Sequence, residues 1–209
     1  MRSVLPAAIL FSGFSILSAQ TFEGSISVGQ QLESNATLGS IAAEAANGGG
    51  TYNLSNGFNL NFRATLNTWK FFGHEFGYSY NRTHLNFDAL NVTGGSAGST
   101  DEGGMAVHQG VYDFLGYGTP EGSRFRPFGA VGIHFSNYVP PGSSVSSGGG
   151  QTKFGINYGG GLKARISGPF GVRIDVHQYT NGKPGFGAIS GNSGWIRQTE
   201  ISAGIDFML

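Results

Sequence analysis

The final third of the chain alternates apolar and polar side chains with a strict period of two. Between Lys153 and Ile166 the large apolar residues share one parity, and the lysine, arginine and asparagine residues share the other. The runs from Phe170 to His177 and from Trp195 to Leu209 repeat the pattern. Successive side chains of a β-strand point to opposite faces, so these runs predict three strands with one apolar and one charged face.

Five earlier segments show the same period and bring the predicted total to eight strands. They are Phe22 to Leu32, Gly57 to Leu66, Phe71 to Arg82, Met105 to Tyr117 and Phe125 to Tyr138. The alternation is least regular in the fourth, where we expect Ala106, Tyr112 and Phe114 to point outward and Asp113 inward. In the fifth, we expect Val131, Ile133 and Phe135 on one face and Ala130, Gly132, His134 and Ser136 on the other.

The lengths of the links between these strands distinguish one architecture from the others. Alternation alone also fits a β-sandwich or a lipocalin. Three links are short, namely Asn67 to Lys70, Gly118 to Ser123 and Ser167 to Pro169. Four are long and rich in small and polar residues, namely Glu33 to Ser55, Thr83 to Gly104, Val139 to Gln151 and Asn181 to Gly194. Strict alternation of short and long links predicts an all-β, antiparallel up-and-down barrel with both termini at the short-turn rim, as in bacterial outer-membrane barrels. We expect the long links to be mobile loops.

Composition indicates which face of each strand is enclosed. Charged residues make up only 11% of the 209 residues, against roughly 25% in soluble proteins. So few charges cannot cover a soluble protein, and we therefore expect the apolar face to meet lipid and the charged face to line the lumen. The predicted lumen network comprises Glu23, Arg63, Glu75, Lys163, Arg165, Arg173, Asp175, Glu200 and Asp206. Eight strands leave an interior that side chains can fill, so we expect a plugged lumen.

Aromatic residues near the predicted strand ends suggest girdles at the two membrane interfaces. The strongest candidates are Tyr80, Tyr138, Phe170, Trp195 and Phe207. On this assignment of faces, arginine in place of Ile174 should block insertion, whereas alanine in place of Arg173 should leave a folded barrel.

Charge and cysteine content exclude several classes of function. The formal net charge is zero, which argues against a nucleic-acid partner. The absence of cysteine excludes disulfides, thiolate metal sites and a lipoprotein anchor. The five histidines are scattered without paired spacing, so we expect neither a metal site nor a cofactor.

The N-terminus predicts export. Arg2 precedes an apolar run from Val4 to Leu17 that ends in the small residues Ser18 and Ala19, which is typical of a secretory signal peptide. The run is shorter than the roughly 20 residues needed for a membrane helix. We therefore predict a cleaved signal peptide at 1–20 and a β-barrel at 21–209.

Three segments carry a resemblance to a known superfamily. The Arg126-Pro127-Phe128-Gly129 segment, the strand with Tyr158-Gly159-Gly160-Gly161-Leu162-Lys163, and the terminal Phe207-Met208-Leu209 resemble the OmpA/OmpX-like eight-stranded outer-membrane β-barrels, in the barrel domain only. The resemblance implies a monomer in the outer membrane of a Gram-negative cell, surrounded by lipid and lipopolysaccharide. It also implies that the barrel-assembly machinery recognises the C-terminal strand.

Three functions remain compatible with this interpretation. We expect a barrel without catalytic activity that supports envelope integrity or adhesion through its external loops. His134-Phe135-Ser136-Asn137 resembles the His-x-Ser-Asn segment of the lipid A deacylases, in which serine attacks an ester with help from histidine and an acidic residue. The segment lies too early in the chain for that family, and residues 139–151 contain no acidic residue. A narrow pore for small solutes is the third possibility.

Overall fold

Ten β-strands make up most of the computed structural model, which describes residues 21–34, 37–41, 48–91, 93–144, 149–186 and 193–209. The strands are β1 (Thr21–Ser34), β2 (Thr37–Ile41), β3 (Gly50–Leu54), β4 (Gly57–Trp69), β5 (Phe72–Leu90), β6 (Ser96–Tyr117), β7 (Phe125–Val139), β8 (Gln151–Ser167), β9 (Phe170–Gly182) and β10 (Trp195–Met208). In the part of the chain so described, no helix is long and apolar enough to cross a membrane. The signal peptide predicted at 1–20 lies outside the described residues.

Eight of the strands close into an antiparallel ring. Around the ring the order is β1, β10, β9, β8, β7, β6, β5 and β4, with β4 pairing again with β1. Each of the eight predicted strands corresponds to one member of this ring, which confirms the up-and-down barrel. Most of the observed strands extend a few residues beyond the predicted ends, and β5 and β6 extend much further.

The links at one end of the barrel are short, and the first and last ring strands begin and end there. Residues 70–71 join β4 to β5, and 168–169 join β8 to β9. Gly168 adopts a φ of 55°, a left-handed conformation that glycine tolerates without strain. At this end β1 begins at Thr21 and β10 ends at Met208. We call this the short-turn end and the opposite one the long-loop end.

Alternate residues along each ring strand form an apolar outer surface and a polar inner surface. On β9, Arg173 is fully buried, whereas its neighbour Ile174 is 55% exposed. The same contrast recurs around the barrel: most large apolar side chains of the ring strands lie exposed on the outside, and most carboxylates and basic groups lie inside. The predicted assignment of faces holds for the inward Asp113 and the outward Phe114, whereas Ala106, expected to point outward, is only 8% exposed.

The first two long links are not the mobile loops that the sequence suggested. The link from Glu33 to Ser55 contains β2 and β3, which pair with each other, and β3 pairs with residues 85–89 of β5. The link from Thr83 to Gly104 continues the β5–β6 hairpin as far as the pair Leu90 and Ser96. Four strands therefore form a sheet beyond the barrel rim, which we call the external sheet.

An apolar cluster under the external sheet closes the long-loop end of the barrel. Its buried members come from both layers, since Leu38, Leu54 and Leu85 belong to the external sheet and Val107, Tyr138 and Ile196 to barrel strands. Tyr52 and Phe186 pack against it. We call this cluster the apolar cap. Burial of its apolar side chains stabilises β2 and β3 against the barrel, which their small and polar residues alone would not do.

Candidate functional site

The centre of the lumen is organised around the carboxylate of Glu75. Arg173 donates to it through both terminal nitrogens, with Nη1 2.6 Å from Oε2 and Nη2 2.9 Å from Oε1. Thr65 donates its hydroxyl to Oε2 at 2.7 Å, and Arg63 Nη1 lies 3.3 Å from Oε1. The two-pronged pairing fixes the orientation of both groups as well as their charge. Glu75 and Arg173 are both completely buried.

A second centre joins Arg63 to the opposite wall. Its Nη2 donates to Glu200 Oε1 at 3.2 Å and to the Tyr179 hydroxyl at 3.0 Å. Asn61 donates to the same Glu200 oxygen at 2.9 Å. These contacts join β4 directly to β9 and β10, two strands that are not its neighbours in the ring. The network therefore ties opposite walls together through the lumen.

A third centre lies near the short-turn end. Glu23 accepts from Lys163 Nζ at 2.6 Å, from Asn67 at 2.8 Å and from Arg126 Nη1 at 3.1 Å. The Arg126 guanidinium also lies over the Tyr117 ring, 3.6 Å from its centroid, in cation–π geometry. This centre fills the lumen between Glu75 and the short-turn end.

The remaining predicted lumen residues occupy different positions. Asp175 accepts from Arg173 Nε and from the Ser202 hydroxyl, and so belongs to the central group. Asp206 is fully buried, but neither carboxylate oxygen has a hydrogen-bond partner among the described residues. Arg165 is only half-buried at the end of β8, where its Nε lies 3.3 Å from the Met208 sulfur. Arg165 is thus a rim residue, while the other eight are buried in the interior.

Two buried charges of the network were absent from the predicted set. Asp113, already expected to point inward, lies 3.5 Å from Arg63 Nη1. Arg126 is 3% exposed and pairs with Glu23. Arg126 lies on the same face of β7 as Ala130 and His134, because all three are separated by even numbers of residues. This alternation could have predicted its inward position from the sequence. On β6 the pattern was obscured because several inward positions are apolar, among them Val107, Val111 and Leu115.

Amides and hydroxyls fill the lumen between the central charges and the apolar cap. Gln109 donates to Ser136 and to Gln198, each at 3.0 Å, and accepts from Asn81 at 2.9 Å. His134 Nε2 lies 3.2 Å from Asn181 Oδ1. His134 and Ser136, the residues that resemble a deacylase segment, therefore face the lumen, on the opposite side of the wall from lipid.

One of the five predicted girdle residues is wrong. Tyr138 is completely buried, and its hydroxyl lies 3.2 Å from Asn181 Oδ1 and belongs to the lumen network. Tyr138 has the inward parity of β7, and parity decides the face regardless of the aromatic ring or its place near a strand end. Phe170 and Phe207 lie outside at the short-turn end, with ring centroids 5.4 Å apart. Trp195 is 66% exposed at the long-loop end, and Tyr80 is half-buried on the outer face of β5.

The external sheet carries polar groups on its outer face. Among the described strands it has two unpaired edges, β2 on one side and residues 96–104 of β6 on the other. His84 Nδ1 lies 2.9 Å from Asp101 Oδ2 across β5 and β6. The Gly103 N–H bond to Asp101, together with His84, holds the pKa of that carboxyl below its usual value. Within the described ranges, no group of three or more histidine, cysteine, aspartate or glutamate side chains is arranged to hold a metal ion.

Solved structures with a similar fold are outer-membrane proteins. The outer membrane protein OprG from Pseudomonas aeruginosa superposes with a TM-score of 0.63 at 9% identity, covering 91% of this chain and 96% of that one. Neisserial surface protein A (NspA) gives a TM-score of 0.49 at 13% identity, covering 90% and 96%. At such low identity, the likeness to OprG shows the fold alone. No curated protein matches the chain in sequence.

A closed antiparallel ring with an apolar outside and a charged, hydrogen-bonded inside defines a transmembrane β-barrel. In a closed ring each strand has a hydrogen-bonded neighbour on both sides. Its backbone groups therefore need no partner from lipid, which offers none. Residues 7–208 match the family model described as outer membrane protein beta-barrel domain, and the chain belongs to that family. Its place is the bacterial outer membrane. In such barrels the short turns are periplasmic and the long loops lie outside the cell, and we expect the same orientation here.

Proposed function

We propose that this barrel is a non-conducting surface-interaction protein, which binds partners through the free β6 edge of its external sheet. The proposal rests on one observation. Residues 96–104 of β6 pair with β5 on one side, and no described strand pairs with them on the other. The pairing of β6 with β7 begins only at Ala106 and Val139. Pro140 and Pro141 follow β7, and proline cannot donate to a ladder, so β7 ends there while β6 continues.

An exposed strand edge is a template for pairing with another chain. Residues 96–102 are all exposed. They contain no proline, and their only charged residues are Asp101 and Glu102. An extended segment of a partner could add to this edge by main-chain hydrogen bonds, as in β-strand addition. The apolar cap supports this role because it holds the external sheet in a fixed position on the barrel.

Removing the β5–β6 extension, which carries the free edge and also the β5 residues that pair with β3, should remove partner binding and leave the barrel intact. Replacing residues 86–102 by Asn-Gly joins the register partners Leu85 and Gly103 through a two-residue hairpin turn. Bacteria carrying this variant should lose adhesion to immobilised serum or extracellular-matrix proteins that the parent binds. Heat-modifiable gel migration of the variant should remain that of a folded barrel.

A matched control keeps the edge. Replacing residues 91–95 by Asn-Gly joins the partners Leu90 and Ser96 and removes only the hairpin tip. This variant should adhere like the parent. Equal adhesion by both variants, or no adhesion by the parent to any protein of the panel, would leave envelope integrity as the better proposal.

We expect the barrel in planar bilayers to give no steady open-channel current, because side chains from opposite walls meet in the lumen and the apolar cap covers its outer end. The control is the double substitution Glu75→Ser and Arg173→Ser, which removes both members of the central pair and leaves Asp175 with its hydrogen bond from Ser202. The double variant should conduct more than the parent. Regular current steps from the parent protein would favour the narrow-pore alternative instead.

A further inference from the structure

The outer face of β5 and β6 carries a hydrogen-bonded histidine–tyrosine pair where lipid is expected. His108 Nδ1 lies 2.6 Å from the Tyr78 hydroxyl, and the Tyr80 ring packs on the histidine at a centroid distance of 5.3 Å. Tyr78 is 43% exposed. A phenol hydroxyl is a stronger donor than a neutral imidazole N–H, so we assign the proton of this hydrogen bond to Tyr78 and the imidazole proton to Nε2. No described residue accepts a hydrogen bond from that nitrogen.

His108 lies at the outer boundary of the apolar band. In the register of the sheet it is opposite Tyr80 on one side and Asn137 on the other. Asn137 donates to the Thr152 hydroxyl at 2.8 Å, so polar side chains cross β6, β7 and β8 at this level. An N–H group facing lipid without an acceptor is costly, and at this level the acceptors are ester and phosphate oxygens of lipid.

Arg82 supplies a positive charge just above this level. It is exposed on the outer face of β5, two residues beyond Tyr80, and its guanidinium lies over Gly104 of β6, where a Cβ would come within 2.3 Å of Nη2. No carboxylate among the described residues forms an ion pair with Arg82. An unpaired guanidinium beside the headgroup region matches a phosphate, which it binds in a two-pronged manner.

An apolar groove runs along the same face below His108. Its volume is about 590 Å³, and its lining includes Tyr78, Gly110, Tyr112, Ile133, Phe135 and Phe154. Gly110 lets the Phe135 ring lie directly on the strand, since a Cβ there would be 2.2 Å from that ring. The volume lies within the roughly 300–1,000 Å³ typical of small-molecule sites.

We propose that this face holds one molecule of a phosphorylated glycolipid of the outer leaflet, of the lipid A class. One acyl chain lies in the groove, an ester or phosphate oxygen accepts from His108 Nε2, and a phosphate pairs with Arg82. His108 is opposite Tyr80 in the register, and Arg82 lies two residues beyond Tyr80 on β5. Such diagonal neighbours on adjacent strands are about 7–8 Å apart, so a broad headgroup can meet both residues.

Native mass spectrometry of the detergent-purified barrel with added lipid A tests the site. One lipid A should bind with measurable affinity, and Arg82→Gln and His108→Phe should each weaken binding by roughly tenfold, the loss expected for one charge-assisted hydrogen bond. A zwitterionic phospholipid with acyl chains of similar length should bind more weakly than lipid A. All variants should keep the heat-modifiable migration of the parent.

Arg124→Gln is the matched control, because Arg124 is also exposed but lies at the periplasmic end over the Phe125 ring. This variant should bind lipid A like the parent. The proposal is overturned if lipid A fails to bind, if the zwitterionic lipid binds equally well, or if Arg124→Gln weakens binding as much as Arg82→Gln. Failure of the lipid A proposal would not affect the proposed partner binding at the β6 edge, because residues 96–102 do not line the groove.

Discussion

Replacing Arg173 with alanine should destabilise the barrel by about 3–5 kcal/mol, the cost of breaking a buried ion pair by removing one partner. The substitution removes two hydrogen bonds to Glu75 and one to Asp175. Both carboxylates would remain buried, with Arg63 and Lys163 as the nearest remaining cations of Glu75. Urea titration of the barrel in lipid vesicles, followed by tryptophan fluorescence, measures the free energy of unfolding.

A double-mutant cycle separates the ion pair from simple loss of packing. Glu75→Gln combined with Arg173→Ala should cost clearly less than the sum of the two single substitutions, because the residues form one unit. Arg165→Ala is the control, since Arg165 shares the inward parity but is half-buried at the rim. A cost for Arg173→Ala near that of Arg165→Ala, or strict additivity in the cycle, would contradict the central role of this pair.

The expectation for Arg173 shows what the sequence does and does not reveal. Parity alone places Arg173 inside and suggests that alanine leaves a folded barrel. Parity says nothing about which carboxylate it meets, since Glu75 lies 98 residues away on a strand across the lumen. That partnership depends on the stagger of the closed ring, which no local pattern encodes. The structure therefore changes the expected cost of the substitution from small to large.

Two expectations differ from the structure, one because local parity was outweighed and one because long-range contacts decide the outcome. Tyr138 was assigned to a girdle because its ring and its place near a strand end outweighed its parity, yet parity determines its face. The link from Glu33 to Ser55 lacks a long alternating run, which suggests a loop. Strands β2 and β3 within it are held by Leu38 and Leu54, which meet Leu85, Met105 and Val107 in the apolar cap. Contacts between segments distant in sequence thus override local composition.

Replacing Ile174 with arginine tests the lipid-facing side of the same strand. Ile174 is next to Arg173 in sequence but points the opposite way, 55% exposed between Leu162 of β8 and Ala203 of β10. Arginine on the lipid face near the midplane costs about 2–4 kcal/mol, whereas near an interface the cost falls to roughly 0–1 kcal/mol. Ile166→Arg, at the periplasmic end of β8, is therefore the matched control.

We expect Ile174→Arg to insert poorly and to lower the free energy of unfolding in vesicles, while Ile166→Arg behaves almost like the parent, because its side chain can reach water. The outer-membrane fraction and heat-modifiable migration report insertion, and urea titration reports stability. If both variants inserted equally well while Arg173→Ala alone abolished folding, the apolar parity would not face lipid. Together with Arg173→Ala, this comparison probes both faces of β9 at adjacent residues, where a one-residue shift of register would exchange the outcomes.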